Sequence, residues 1–365
     1  MTRRLLLTPG PLTTSATVKA AMGRDLGSRD ADFIQLTASI RRRILALARG
    51  EDAARYTTVL LQGSGTFVVE AMLGTLVPRE GALLVLENGA YGRRLRELAT
   101  RIGRRVESLS FEETTPVDPE TVRAALASRP HITHVAVVQC ETTTGLLNPV
   151  DAVADVVYGA GKQLLVDAMS AFGALAPPRR FLALAASSNK CLEGVPGVGF
   201  CVAHTDALAA AKGNAHSVSL DLEAQWRGFE ANGQWRFTPP THVLLALGQA
   251  LDELEAEGGV PARGRRYAEN ARVLIDGMRS LGLSPILADA VQAPIIVTFA
   301  SPAHPRFAFP AFYDALASRG FVIYPGKLTE AETFRVGCIG RLDATDIQRA
   351  VAAVREVLGE LEVTL

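Results

Sequence analysis

Lys190 and Asp167 are the residues whose types and settings most directly imply chemistry. Lys190 stands in Ser187-Ser188-Asn189-Lys190-Cys191, just before the glycine-rich run Gly194-Val195-Pro196-Gly197. Asp167 closes the apolar run Leu164-Leu165-Val166. A buried aspartate is rare unless it is paired, and a protonated ring nitrogen would be such a partner. An amine on a loop among small residues can condense with an aldehyde. This is the pairing that pyridoxal phosphate needs: the lysine forms a Schiff base with the cofactor, and the aspartate keeps the pyridine nitrogen protonated so that the ring acts as an electron sink. Desolvation near a cationic neighbour would lower the lysine pKa for nucleophilic work. The bland alternatives are a surface lysine and an aspartate that caps a helix.

Other polar sets carry weaker signals. Gly63-Ser64-Gly65-Thr66 lies between a strand-like and a helix-like run. Its glycines allow close backbone approach, and its hydroxyls and helix-start N–H groups could cradle a phosphate. A plain helix cap explains it equally well. Tyr91, in Asn88-Gly89-Ala90-Tyr91-Gly92, either packs on the core or stacks on a flat cofactor. Thr142, in Glu141-Thr142-Thr143-Thr144-Gly145, either contacts a ring substituent or belongs to a cap before Pro149. Thr241 follows Phe237-Thr238-Pro239-Pro240 and either caps the next helix or reaches a phosphate across a dimer interface. Arg335 sits in the strand-like run Phe334-Arg335-Val336-Gly337. A mid-strand arginine is more often solvated at a sheet edge, but this one suits bidentate capture of a carboxylate.

These residues need a scaffold. Strand-like runs at Thr57–Gln62, Ala82–Glu87, Arg105–Ser110, His134–Gln139, Gln163–Asp167, Ala183–Ser187 and Gly199–Ala203 alternate with helical patterns at Gly65–Val77, Gly92–Ile102, Pro119–Ser128 and Pro149–Ala160. That rhythm predicts an α/β fold with a mostly parallel central sheet and helices on both faces. Ligands of such sheets bind beyond the carboxyl ends of the strands. Gly63, Glu141 and Asp167 all fall at such ends. A long helix from about Thr241 to Glu257 ends at Gly258-Gly259-Val260-Pro261. We therefore expect a large domain over residues 1–258 and a smaller α+β domain over residues 259–365, with residues 1–20 contributing to the active-site mouth.

The bulk properties set limits. At 365 residues the chain fits one large domain plus a smaller one. Hydrophobic residues make up 48%, charged residues 21%, and the formal net charge is zero. With no long charged run, this argues against nucleic acid or an anionic membrane as the main partner. No stretch approaches the ~18 or more uninterrupted apolar residues of a membrane span. Cys140, Cys191, Cys201 and Cys338 are scattered without CxxC spacing, which suggests neither a disulfide framework nor a metal site. A cytoplasmic setting is the expectation.

The motifs taken together resemble a known family. Thr8-Pro9-Gly10-Pro11, Gln62-Gly63-Ser64-Gly65, Asn88-Gly89-Ala90-Tyr91-Gly92, Glu141-Thr142-Thr143-Thr144-Gly145, Val166-Asp167-Ala168-Met169-Ser170, Ser188-Asn189-Lys190-Cys191 and Tyr324-Pro325-Gly326-Lys327 occur in the order of the 2-aminoethylphosphonate–pyruvate transaminases. These are fold-type-I, class V, pyridoxal phosphate-dependent aminotransferases, related to the alanine– and serine–glyoxylate enzymes. The resemblance implies that Lys190 carries the cofactor and Asp167 pairs with its ring nitrogen. It implies a phosphate cup of Ser64, Gly65 and Thr66, ring stacking by Tyr91, and a cofactor contact from the Thr142 segment. It assigns Thr241 to the phosphate of the other subunit in a homodimer, and Arg335 to the substrate carboxylate. The implied substrates are 2-aminoethylphosphonate and pyruvate, with no metal. An alanine/serine–glyoxylate activity and a non-catalytic phospholigand-binding protein are the alternatives. Two departures stand out. Ala174–Ala186 looks shorter than the family's helix between the aspartate and the lysine, and Arg29 stands where tryptophan is common.

Overall fold

The computed structural model describes residues 4–328 and 332–365; residues 1–3 of the segment expected at the active-site mouth lie outside them. The strands are β1 (Leu5–Leu6), β2 (Tyr56–Gln62), β3 (Ala82–Glu87), β4 (Arg105–Ser110), β5 (His134–Val138), β6 (Cys140–Glu141), β7 (Leu146–Leu147), β8 (Gln163–Asp167), β9 (Ala183–Ser187), β10 (Val198–His204), β11 (Ile296–Ala300), β12 (Phe321–Val322), β13 (Tyr324–Pro325) and β14 (Thr333–Gly337). The main sheet has the order β2-β10-β9-β8-β5-β3-β4. Its neighbours from β9 to β4 pair in parallel, while β10 runs antiparallel to both β2 and β9. This is the mostly parallel α/β architecture that the alternating runs predict.

The physical cause is burial on both faces. β3, β5 and β9 are buried at every position, as expected for parallel strands covered by helices on each side. The helix Gly65–Leu76 is buried along most of its length, from Val68 to Leu76. Its side chains join those of Val85, Val137, Leu165 and Phe200 in one continuous core. Because the parallel strands point one way, Gln62, Glu87, Val138, Asp167 and Ser187 all end at the same sheet edge.

A second core lies in the C-terminal part. β14 is the centre of an antiparallel sheet with β11 and β13 at its sides. Phe299, Phe312, Phe334 and Val336 pack there against Leu274, Met278 and Leu358. The N-terminal segment crosses over to this core: β1 pairs in parallel with β12, and Leu5 and Leu7 are buried in it. The helix Thr241–Glu257 ends at Gly258 in the left-handed region, φ 104°, and Gly259 follows at φ 74°. The next helix then restarts at once, Gly259–Ser280, with Pro261 in its first turn, where a missing N–H costs nothing. The glycine pair is therefore a bend between two helices.

Candidate active site

At the common strand edge lies a cavity of about 450 Å³, lined by Ser64, Gly65, Thr66, Tyr91, Thr142, Asp167 and Lys190 among others. Seven of the expected site residues thus meet in one place. They come from loops after β2, β3, β5, β8 and β9, as the strand-end rule anticipates.

Each loop is held by specific bonds. Gly63 has φ +117° and donates to the carbonyl of Gly197 at 2.9 Å, which ties the Ser64–Thr66 turn to the lysine loop. Ser64 occupies the cap position of the helix Gly65–Leu76, yet its side chain makes no cap hydrogen bond. The plain-cap reading therefore leaves that hydroxyl unexplained. A Cβ at Gly65 would run into the Met169 thioether, so the turn packs closely against the residue that follows Asp167-Ala168. Free N–H groups at a helix start, with a hydroxyl not used for capping, suit an anion.

Asp167 is buried. One carboxylate oxygen accepts from the Met169 N–H at 2.9 Å. Turns follow it rather than a helix, so it does not cap one. Burial pushes its pKa up to about 6, reinforced by Glu141 and opposed by the Met169 N–H, Lys190 and Arg94. Among the described residues no cation forms an ion pair with Asp167, and a protonated ring nitrogen would supply one.

Lys190 donates to the carbonyl oxygen of Pro9 at 2.5 Å. Burial lowers its pKa, while Tyr91, Cys191 and Asp167 pull the other way. Desolvation is thus the cause, and the expected cationic neighbour is not. Gly10 has φ +121°, and a Cβ there would come within 2.9 Å of the lysine Cδ and Nζ. The N-terminal segment therefore crosses directly over the lysine. On the other side, Glu193 accepts from Arg266 Nη2 at 2.7 Å and from the Tyr267 hydroxyl at 2.5 Å. Arg263 adds a bond to the Cys191 carbonyl at 2.9 Å. Residues 174–182, in the stretch that looks short beside the resembled family, form no helix. Gly173 instead packs against Leu192 and the Cys191 backbone, with room for no side chain.

Glu141 is a residue whose role the sequence conceals. One of its oxygens accepts from the N–H groups of Tyr91 and Gly92 at 3.1 and 3.2 Å. The other accepts from Thr143 N and Oγ1 at 3.0 and 2.7 Å. The Thr143 hydroxyl in turn accepts from Ala90 N at 2.8 Å. This loop therefore caps the helix Ala90–Arg101 and not the helix after Pro149, whose cap has no side-chain bond. Burial raises the pKa of Glu141 against these hydrogen bonds. A lone acid in an apolar strand end was the available signal.

Arg335 is 2% exposed and lies in the central strand of its sheet, so it is not edge-solvated. Nε donates to the Pro325 carbonyl and Nη1 to the Thr142 carbonyl, each at 2.9 Å. Burial lowers the pKa of Arg335 against the pull of Tyr91, Tyr324 and Glu141. Burial acts to raise the Tyr91 pKa, but Lys190, a Thr142 hydrogen bond, Lys327 and Arg335 outweigh it, and the net shift is downward. Thr241 is half-buried at the first position of its helix, behind Pro240, and is not among the cavity-lining residues of this chain. Its neighbour Pro240 lines an adjoining groove of about 460 Å³ with Phe67, Trp235 and Phe237, which shares Gly63 and Gly197 with the cavity. Arg29 is exposed and lies outside the cavity lining.

A sheet edge with this lysine, aspartate and anion cup defines a class. The aminotransferase class-V family model matches residues 13–313, and the chain belongs to that family, whose members depend on pyridoxal phosphate. Within it, the chain is 55% identical over 364 residues to the 2-aminoethylphosphonate–pyruvate transaminase of Burkholderia ambifaria, covering 99% of this chain and 97% of that one. It is 53% identical over 362 residues to the protein of the same name from Pseudomonas aeruginosa, covering 98% and 97%. Among solved structures, alanine–glyoxylate aminotransferase from Nostoc sp. superposes with a TM-score of 0.90 at 24% identity, over 98% of this chain and 96% of that one. That likeness speaks to the fold alone.

Proposed function

We propose that this chain is a transaminase that moves the amino group of 2-aminoethylphosphonate to pyruvate, releasing phosphonoacetaldehyde and L-alanine. The observation that carries this reading is the 55% identity, over nearly the whole chain, to a transaminase of that name. The site chemistry supports it. When bound, pyridoxal phosphate supplies the aldehyde carbon that takes up the amine and the ring that accepts electrons. Ser64, Gly65 and Thr66 hold its phosphate at the helix start. Asp167 keeps the ring nitrogen protonated, and Tyr91 and Thr142 position the ring. Lys190 first anchors the cofactor. With the cofactor bound, the Lys190 amine would be placed to take the proton from the amine-bearing carbon of the donor and to hold it for return. Arg335 faces the acid group of donor and acceptor. Its Nε and Nη1 each already carry a backbone contact, so the remaining N–H groups on its two Nη atoms form the fork.

The proposal includes a homodimer in which Thr241 of one subunit reaches the cofactor phosphate of the other. The exposed Phe67, Val218 and Phe237 would then be covered. It also takes residues 1–258 as the cofactor domain, with the N-terminal segment reaching the active-site mouth, and residues 259–365 as the small domain. Among the described residues no helix is long and apolar enough to cross a membrane, and we place the enzyme in the cytoplasm.

One spectroscopic titration tests the reaction. The purified protein should be yellow, lose that absorbance on addition of 2-aminoethylphosphonate, and regain it with pyruvate. A spectrum that answers to alanine or serine and to glyoxylate, but not to 2-aminoethylphosphonate, would replace this reading with the glyoxylate-type one. A colourless protein that binds no aldehyde would leave only a phospholigand-binding role.

A further inference from the structure

A phosphonate donor and a keto-acid acceptor differ in charge. Pyruvate carries one negative charge, whereas a phosphonate near neutral pH resembles a phosphate group, at about −1.5 to −2 with three acceptor oxygens. Arg335 has five N–H donors in principle, and two of its three nitrogens already serve Pro325 and Thr142. What remains matches one carboxylate. A second cation is needed for the dianion.

The strand that anchors Arg335 also brings one. From Pro325 the chain passes through Gly326 to Lys327. The Gly326 N–H donates to the Thr333 carbonyl at 2.7 Å. A Cβ at Gly326 would collide with the Thr333 hydroxyl and backbone. The turn is therefore pinned to β14, two residues from Arg335. It brings the Lys327 amine to 5.3 Å from the centroid of the Tyr91 ring. Lys190, Lys327 and Arg335, from three separate segments, all act electrostatically on the Tyr91 hydroxyl.

Among the described residues no carboxylate forms an ion pair with Arg335 or Lys327, and Glu141 attracts Arg335 only from a distance. Both oxygens of Glu141 already accept from Tyr91, Gly92 and Thr143. Lys190 is committed to the cofactor. Arg335 and Lys327 thus remain as two positive groups beside Tyr91, a residue of the cavity wall, although neither lines the cavity as Arg94 does, and a dianion complements them.

We infer that Lys327 is the second phosphonate-binding cation and the residue that favours a dianionic donor over a carboxylate one. The inference rests on the reaction proposed above. Lys327 is exposed, so its effect must weaken with ionic strength.

The test uses the cofactor-loaded enzyme and reads each half-reaction by cofactor absorbance. In Lys327→Met, the concentration of 2-aminoethylphosphonate giving half-maximal rate should rise roughly tenfold to a hundredfold, with the maximal rate changed far less. The half-reaction with L-alanine, which presents a carboxylate, should stay near wild type. Lys327→Arg should recover most of the loss, and the wild-type advantage should shrink in high salt. Equal losses with both amines, or no loss with 2-aminoethylphosphonate, would overturn the inference while leaving the transaminase reading intact. A wild-type enzyme that reacts with L-alanine but never with 2-aminoethylphosphonate would overturn both, and is seen before any variant is made.

Discussion

The carbonyl oxygen of Thr142 accepts a hydrogen bond from Arg335 Nη1 at 2.9 Å. The contact joins the loop after β5 of the main sheet to the central strand of the C-terminal sheet. One guanidinium therefore docks the two sheets, and substrate binding would be its second role, although it is not among the cavity-lining residues.

Arg335→Lys separates these roles from simple charge. Lysine keeps the charge but has no planar fork, and cannot reach Pro325, Thr142 and a substrate together. We expect kcat/KM for pyruvate to fall by the equivalent of about 2–5 kcal/mol, with the cofactor spectrum unchanged. Steady-state kinetics check this, and wild-type use of pyruvate by the variant would reduce Arg335 to a docking residue.

Lys190→Ala should fold and bind the cofactor through Ser64–Thr66 and Asp167, but form no covalent link and turn over almost no substrate. Borohydride reduction of the wild type followed by peptide mapping should label Lys190. A label on any other lysine removes the assignment.

Asp167 makes a prediction about pH. In the cofactor-free chain its folded pKa, about 6, stands above the ordinary aspartate value of 3.8. Between these values the native state holds a proton that the unfolded chain has lost. Stability from this group is therefore full below about pH 4 and is lost as pH rises through about 6, to the extent of about 3 kcal/mol. Asp167→Asn has no such slope. Thermal unfolding of both cofactor-free proteins from pH 4 to 7 should show the wild type losing ground to the variant, and parallel profiles would refute the burial argument. With cofactor bound, the same variant should lose activity by orders of magnitude while cofactor binding falls less.

Glu141→Ala removes the acceptor for the amides of Tyr91, Gly92 and Thr143 at once. Leaving buried donors unpaired costs about 1–3 kcal/mol each where no water enters. A loss of about 2–4 kcal/mol in unfolding free energy is expected, with weaker cofactor binding because Tyr91 loses its helix anchor. Glu141→Gln keeps one acceptor oxygen and should lose less. Chemical denaturation of both variants decides it, and an unchanged midpoint in Glu141→Ala would show that the cap is dispensable.

Much of this was legible along the chain. β8 and β9 coincide with the runs Gln163–Asp167 and Ala183–Ser187, and β3 and β4 with Ala82–Glu87 and Arg105–Ser110. Apolar periodicity and glycine placement are short-range properties, set by the geometry of a few neighbouring residues. They determined the elements, the strand ends, and hence the meeting of Gly63–Thr66, Tyr91, Thr142, Asp167 and Lys190. They did not determine that Glu141 caps a helix lying earlier in the chain, that Arg335 sits mid-sheet against Thr142, that Leu5–Leu6 pairs with Phe321–Val322, or that Pro9 lies on Lys190. Each of those contacts joins segments far apart in sequence. Neither partner carries a local pattern that names the other, because the choice is made by loop closure and by how the two cores pack, which only the assembled fold decides.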